Sequence, residues 1–158
     1  MTGGGIGGQL EATTTDLATA EAPEVGRALT GIGLNLLTRD VAAEAAFLVD
    51  VLGMTLLRGN ADFALLRYGG HVLQLHADHT YHSNPLPSLL PEVGPRGGGA
   101  ELRAFETDPD QAAEKAAGAG YMILQPPQAK PHGLRECFIL SPDGYCWVPS
   151  RPLAPDEG

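Results

Sequence analysis

Positive charge is scarce in this chain. Ten Lys and Arg stand against nineteen Asp and Glu, a net charge of −9 over 158 residues. Phosphate binding needs a basic face, so the balance argues against nucleic acid as the main partner. It is compatible with a cationic ligand and equally with plain solubility. Cysteine is limited to Cys137 and Cys146, on either side of one turn. Cross-strand proximity there would permit a bond; two buried thiols in a cytoplasmic protein is the reading adopted. No apolar run is long enough to span a bilayer. The N-terminus lacks the basic start and apolar stretch of a signal peptide. A cytoplasmic location with no membrane partner is therefore expected. Familiar catalytic motifs are missing as well: no Gly-x-Ser-x-Gly elbow, no phosphate-cradling glycine loop, no paired-cysteine metal knuckle. Gly97-Gly98-Gly99 precedes a strand rather than a helix, so it reads as a flexible link.

What is present is glycine (21), proline (13) and a 43% hydrophobic content. That suits many turns, short strands and one well-filled core. Residues 1–26 are rich in Gly, Thr and Ala without a sustained period, and read as a flexible tail whose TTTDLATAEAPEVG part is weakly helical or disordered. Residues 27–153 read as a single domain, and 154–158 as a C-terminal tail.

Inside the domain a pattern occurs twice. Residues 29–38 alternate as a strand, with Ile32, Leu34 and Leu36 on one face and Gly33, Asn35 and Leu37 on the other. Asp40 is a good N-cap for a helix over 41–52, and Gly53 is its natural stop. Runs at 54–58, 63–68 and 71–76 follow as short strands separated by turn dipeptides. A Pro-, Gly- and His-rich stretch, 77–99, reads as a linker or functional loop. Residues 100–107 then form a strand. Asp108-Pro109 opens a second helix over 111–117, with Gln111 placed for a capping box. A strand begins at Tyr121, 125–130 is a loop, and a hairpin closes the set: 134–140, the turn Ser141-Pro142-Asp143-Gly144, then 145–148 before Pro149 stops it. Each half, about 29–76 and 100–149, therefore reads β-α-β-β-β, with antiparallel strands expected around its one helix.

LLTRDVAAEAAFLVDVLGM in the first half and GLRECFILSPDGYCWVP in the second, in that order and spacing, resemble the glyoxalase/bleomycin resistance protein/dioxygenase superfamily, also called vicinal oxygen chelate proteins. Ser141 stands where Asp is more common. The resemblance implies an α+β fold in which two βαβββ modules form a curved mixed sheet around a pocket, and pairing as a homodimer. Metal-dependent members draw ligands from four strand positions, which fall here on Gly33, Gln74, Glu101 and Val148. Two of these have no donor, so no metal site and no cofactor are expected; the alternative is one divalent ion, with His76 adding a ligand.

His76, His79 and His82 recur every third residue, but Asn84-Pro85-Leu86-Pro87 favours a turning loop over a helix that would align them. A polar loop is preferred to a metal or acid/base cluster. The candidate pocket residues are Asn35, Gln74 and His76 from the first module, and Glu101, Arg103 and His132 from the second. No catalytic residue is assigned. Glu101 and Arg103, two apart on one strand, suggest an internal ion pair, or a base if Glu101 lacks a partner. Arg135 and Glu136 point to opposite faces, and one of them faces the pocket. Metal-independent small-molecule binding is the leading expectation. A metal-dependent glyoxalase-like lyase or isomerase, or a ring-cleaving dioxygenase, is the alternative.

Overall fold

The computed structural model describes residues 15–157, in two units that divide after Gly31. Most of the tail expected to be flexible, residues 1–14, lies outside the described residues. In the first unit the Asp16 carboxylate closes a turn by accepting from the Ala18 amide and the Thr19 hydroxyl, both at 3.0 Å. Helix α1 (Ala22–Ala28) then starts from a capping box between Glu21 and Glu24. At seven residues it is too short to hold itself by propensity, and the reciprocal cap supplies two of its missing partners.

The second unit contains β1 (Leu34–Thr38), α2 (Val41–Asp50), β2 (Thr55–Gly59), β3 (Phe63–Tyr68), β4 (His71–Ala77), β5 (Leu102–Phe105), α3 (Pro109–Gly118), β6 (Ile123–Ala129), β7 (Leu134–Leu140) and β8 (Cys146–Pro152). The strands form two four-stranded sheets of the same order, β1-β4-β3-β2 and β5-β8-β7-β6. The α+β, twice-repeated βαβββ pattern is thus what the chain builds. Both sheets are mixed, as the resemblance implies: β1 runs parallel to β4, and β5 to β8, which corrects the narrower expectation of antiparallel strands around each helix. The helix after each first strand carries the chain away, so the last strand of each module returns alongside the first in the same direction.

Both helices start where their caps predict. Asp40 accepts from the Ala43 amide at 3.0 Å, and Asp108 accepts from the Asp110 amide at 3.0 Å. α2 buries Val41, Glu44, Ala45, Phe47 and Leu48, while α3 buries Pro109, Ala112, Ala113 and Ala116. These stripes meet Leu36, Leu66, Leu73 and Leu75 of the first sheet and Ala104, Cys137, Ile139 and Trp147 of the second in one core. Phe47 meets Tyr121 edge to face at 5.0 Å, tying α2 to the segment after α3. Both cysteines are free thiols, Cys137 buried and Cys146 partly so.

Proline misled the strand boundaries twice. Residues 125–129, expected as loop, belong to β6 despite Pro126-Pro127. β6 is an edge strand, where a missing amide on the outer side costs no ladder bond, and its register shifts beside the prolines. β8 also continues through Pro149 to Pro152. Its pairing with β7 skips that point and resumes unchanged, with Ile139 opposite Trp147 and Glu136 opposite Ser150.

The modules are locked by the turn at residues 141–144. Its Asp143 carboxylate accepts from the Arg39 amide at 2.7 Å and from the Arg39 guanidinium at 2.8 Å. The Asp143 and Gly144 carbonyls accept from the amides of Arg96 and Gly97, at 2.9 and 3.2 Å. The glycine run expected to be a flexible link is therefore backbone packed on backbone: a Cβ on Gly97 would lie 2.8 Å from the Tyr145 Cα. Gly144 has φ +80°, and a Cβ there would lie 2.4 Å from the Pro95 Cα. Gly144→Ala should accordingly lose roughly 2–5 kcal/mol in urea melts, from left-handed backbone strain plus overpacking. Gly98→Ala, where no atom lies within 4 Å of the added carbon, should stay within about 0.5 kcal/mol of the parent.

Candidate functional site

Alternation along the strands gives each sheet a helix-packed face and an opposite face. On the first sheet Leu73, Leu75 and Ala77 join the core, which sends Gln74 and His76 of β4 to the other side. Asn35 lies beside Gln74 in the parallel register. Gln74 Oε1 is 3.2 Å from His76 Nε2. The His76 ring sits edge-on between Phe63 and Tyr81, at centroid distances of 5.0 and 5.2 Å. Burial lowers the pKa of His76, which favours the neutral ring. Asn35 itself is exposed.

On the second sheet Leu102, Ala104, Cys137 and Ile139 go to the core, leaving Arg103, Phe105 and Glu136 on the opposite face. Here the charges cluster. The Arg103 guanidinium donates to Glu101 at 3.0 Å and, through its other terminal nitrogen, to Glu136. His132 Nε2 is 3.3 Å from the same Glu136 oxygen. The guanidinium also lies over the Phe105 ring, 5.6 Å from its centroid. Glu136 is 2% exposed. Burial alone would raise its pKa, but the hydrogen bonds and charges of Arg103 and His132 outweigh that and hold it below the ordinary carboxylate value. Below this layer Val148, opposite Arg103, and Ser150, opposite both Phe105 and Glu136, are fully buried. The Ser150 hydroxyl has no hydrogen-bond partner among the described residues.

Six residues were expected to line a pocket, and they fall into two groups. Gln74 and His76 touch, with Asn35 next to them in register; Glu101, Arg103 and His132 gather around Glu136. Among the described residues no hydrogen bond or ion pair runs between the groups. The expected Glu101–Arg103 pair is present, but the Glu101 side chain is 50% exposed and that of Glu136 only 3%. Glu136 is thus the buried partner that sequence reasoning left unassigned. Its signal was strand alternation: Arg135 faces the helix side, where it pairs with Asp110 of α3 at 2.6 and 2.7 Å. Ser150 was missed because the strand was expected to stop at Pro149. The three loop histidines do not converge, since His79 pairs with Asp62 at 2.8 Å, away from the His76–Gln74 contact.

A divalent ion does not fit the donors at the four positions where the resemblance would put its ligands. Gly33 has no side chain, and Val148 fills its position with a buried aliphatic group. Gln74 is engaged by His76 and Glu101 by Arg103. Among the described residues no three His, Cys, Asp or Glu side chains come together as a ligand set.

A model of the Glyoxalase/Bleomycin resistance protein/Dioxygenase superfamily matches residues 31–148. Among solved structures, the chain is similar to a glyoxalase-related enzyme from Fulvimarina pelagi, with TM-score 0.62 and 22% identity over 82% of this chain and 96% of that one. It is also similar to a glyoxalase/bleomycin resistance protein/dioxygenase family enzyme from Burkholderia phytofirmans PsJN, with TM-score 0.64 and 20% identity over 77% and 97%. TioX from Micromonospora sp. ML1 aligns with TM-score 0.56 and 25% identity over 79% and 100%. No curated protein matches the chain. No helix among the described residues is long and apolar enough to cross a membrane.

Arg103→Leu should leave Glu136 buried without its cation and cost about 3–5 kcal/mol in urea melts. Arg103→Leu/Glu136→Gln should recover most of that loss. Glu101→Gln, at a half-exposed carboxylate, should change stability by less than about 1 kcal/mol.

Proposed function

The chain belongs to the Glyoxalase/Bleomycin resistance protein/Dioxygenase superfamily, and on that premise we propose that it binds a small molecule without a metal, as an antibiotic-sequestering or ligand-carrier member. The observation that carries this reading is the replacement of metal donors by Gly33 and Val148, beside an intact polar cluster on Arg103. Glu101 and His132 are half-exposed at the edge of that cluster, and Phe105 is 53% exposed next to it. A ligand with a planar apolar part and a polar or cationic group matches this mixture of ring face and carboxylate. Asn35, Gln74 and His76 supply the neutral donors and acceptors of the first module. The protein works in the cytoplasm as a homodimer, with neither nucleic acid nor membrane as partner; the net charge of −9 supports the exclusion of nucleic acid.

The test is metal analysis of purified protein, paired with thermal-shift measurements across divalent ions and across aromatic, aldehyde and cationic compounds. The expected result is no stoichiometric ion and no effect of chelator on Tm. A binding compound present at a hundred times its Kd should add about 2.7 kcal/mol of stability to the parent protein, and much less to Glu101→Gln or His132→Ala. A stoichiometric ion lost on His76→Ala or Glu101→Ala would overturn this in favour of a metal-dependent lyase, isomerase or dioxygenase.

A further inference from the structure

Three carboxylates are buried among the described residues: Glu44, Glu136 and Asp143. Arg103 neutralises Glu136 and Arg39 neutralises Asp143. Glu44, fully buried on the inner stripe of α2, has no ion-pair partner among the described residues. Its Oε2 accepts from the Asp143 amide at 3.2 Å, and its Oε1 has no hydrogen-bond partner among the described residues. Ser141 of the same turn, whose Oγ accepts from the Tyr145 amide at 3.2 Å, favours the charged form of the carboxyl. Glu44 thus reaches from the first module to the turn that holds the second.

The charged and titratable groups around it can be named element by element. Arg39, just before α2, is committed to Asp143. Asp78, in the short turn after β4, holds both terminal nitrogens of Arg96, at 2.6 Å each. Arg96, on the loop before β5, thus has both terminal nitrogens engaged, while its buried Nε has no hydrogen-bond partner among the described residues. Asp143 and Tyr145 come from the β7–β8 turn itself. Of the two charges that act on Glu44, the like charge of Asp143 outweighs the attraction of Arg96. Burial first, and that like charge, push the Glu44 carboxyl up to about 7, against Ser141, the hydrogen bond from the Asp143 amide and the attraction of Arg96.

We propose that Glu44 is a proton-operated latch between the modules: while its carboxyl is neutral the 141–144 turn stays seated on α2, and when the carboxyl ionises that seat loosens. An ionised Glu44 is a desolvated anion next to a second anion, with one oxygen facing no donor. Loosening would act on a cleft of about 390 Å³ that Arg39, Pro95, Tyr121 and Met122 line together with the turn. Because the folded-state pKa is raised, the contribution is fully present below the ordinary value of 4.5 and is lost as pH rises through about 7.

Backbone hydrogen exchange of the Arg96, Gly97 and Gly144 amides, compared at each pH between the parent protein and Glu44→Gln, tests this. The amide side chain keeps size and polarity but cannot ionise. Between pH 5.5 and 8.5, protection of those three amides in the parent should fall about tenfold or more relative to the variant, while the β3–β4 ladder changes equally in both. An unchanged parent-to-variant ratio across that range would overturn the latch. If Glu44→Gln does not fold, carboxyl-carbon NMR of the parent decides: a Glu44 midpoint near 7 supports the proposal and one near 4.5 defeats it.

Discussion

The Asp143 carboxylate is the constraint on which the second unit depends. It is 5% exposed, so its charge has lost nearly all its water. A desolvated carboxylate persists only where donors converge on it. Those donors come from the other module: the Arg39 amide and the Arg39 guanidinium. Burial would raise its pKa, and these donors outweigh burial and lower it. A first module folded alone would leave Arg39 without its anion, and a second folded alone would strand a buried charge. The two βαβββ units therefore share one stability, although each has its own sheet.

That anchoring decides where β8 begins, and through β8 the chemistry of the second sheet's open face. β8 lies between β5 and β7, so its register sets both neighbours. It places Val148 opposite Arg103 and Ser150 opposite Glu136. An arginine and a glutamate separated by 33 residues in sequence then meet above a buried aliphatic and a buried hydroxyl. The pair is a low-dielectric contact, and its strength depends on the β-ladder beneath it.

Local physics wrote much of the fold legibly. Asp40 and Asp108 announced both helices, because an N-cap acts within three residues. Gly53 stopped α2 with φ +72°. The alternating runs at 63–68 and 71–76 matched β3 and β4 to within a residue. Proline was less reliable, since its effect depends on whether a neighbouring strand needs its amide, and that is a property of the sheet. The Glu101–Arg103 pair was readable because two residues on one strand face share a side. Glu44 had a readable signal too: it lies on the buried stripe of Val41, Ala45 and Leu48.

The chain alone therefore determined what is set by near neighbours: the duplicated βαβββ order, the helix starts, the Ser141–Gly144 turn, and the absence of donors at Gly33 and Val148. Tertiary structure decided which charges meet. Glu136 rather than the half-exposed Glu101 became the buried partner of Arg103, Arg39 found Asp143 across the module boundary, and Glu44 was left without a cation. Those outcomes follow from strand register and desolvation, which arise only when distant segments are pressed together and water leaves.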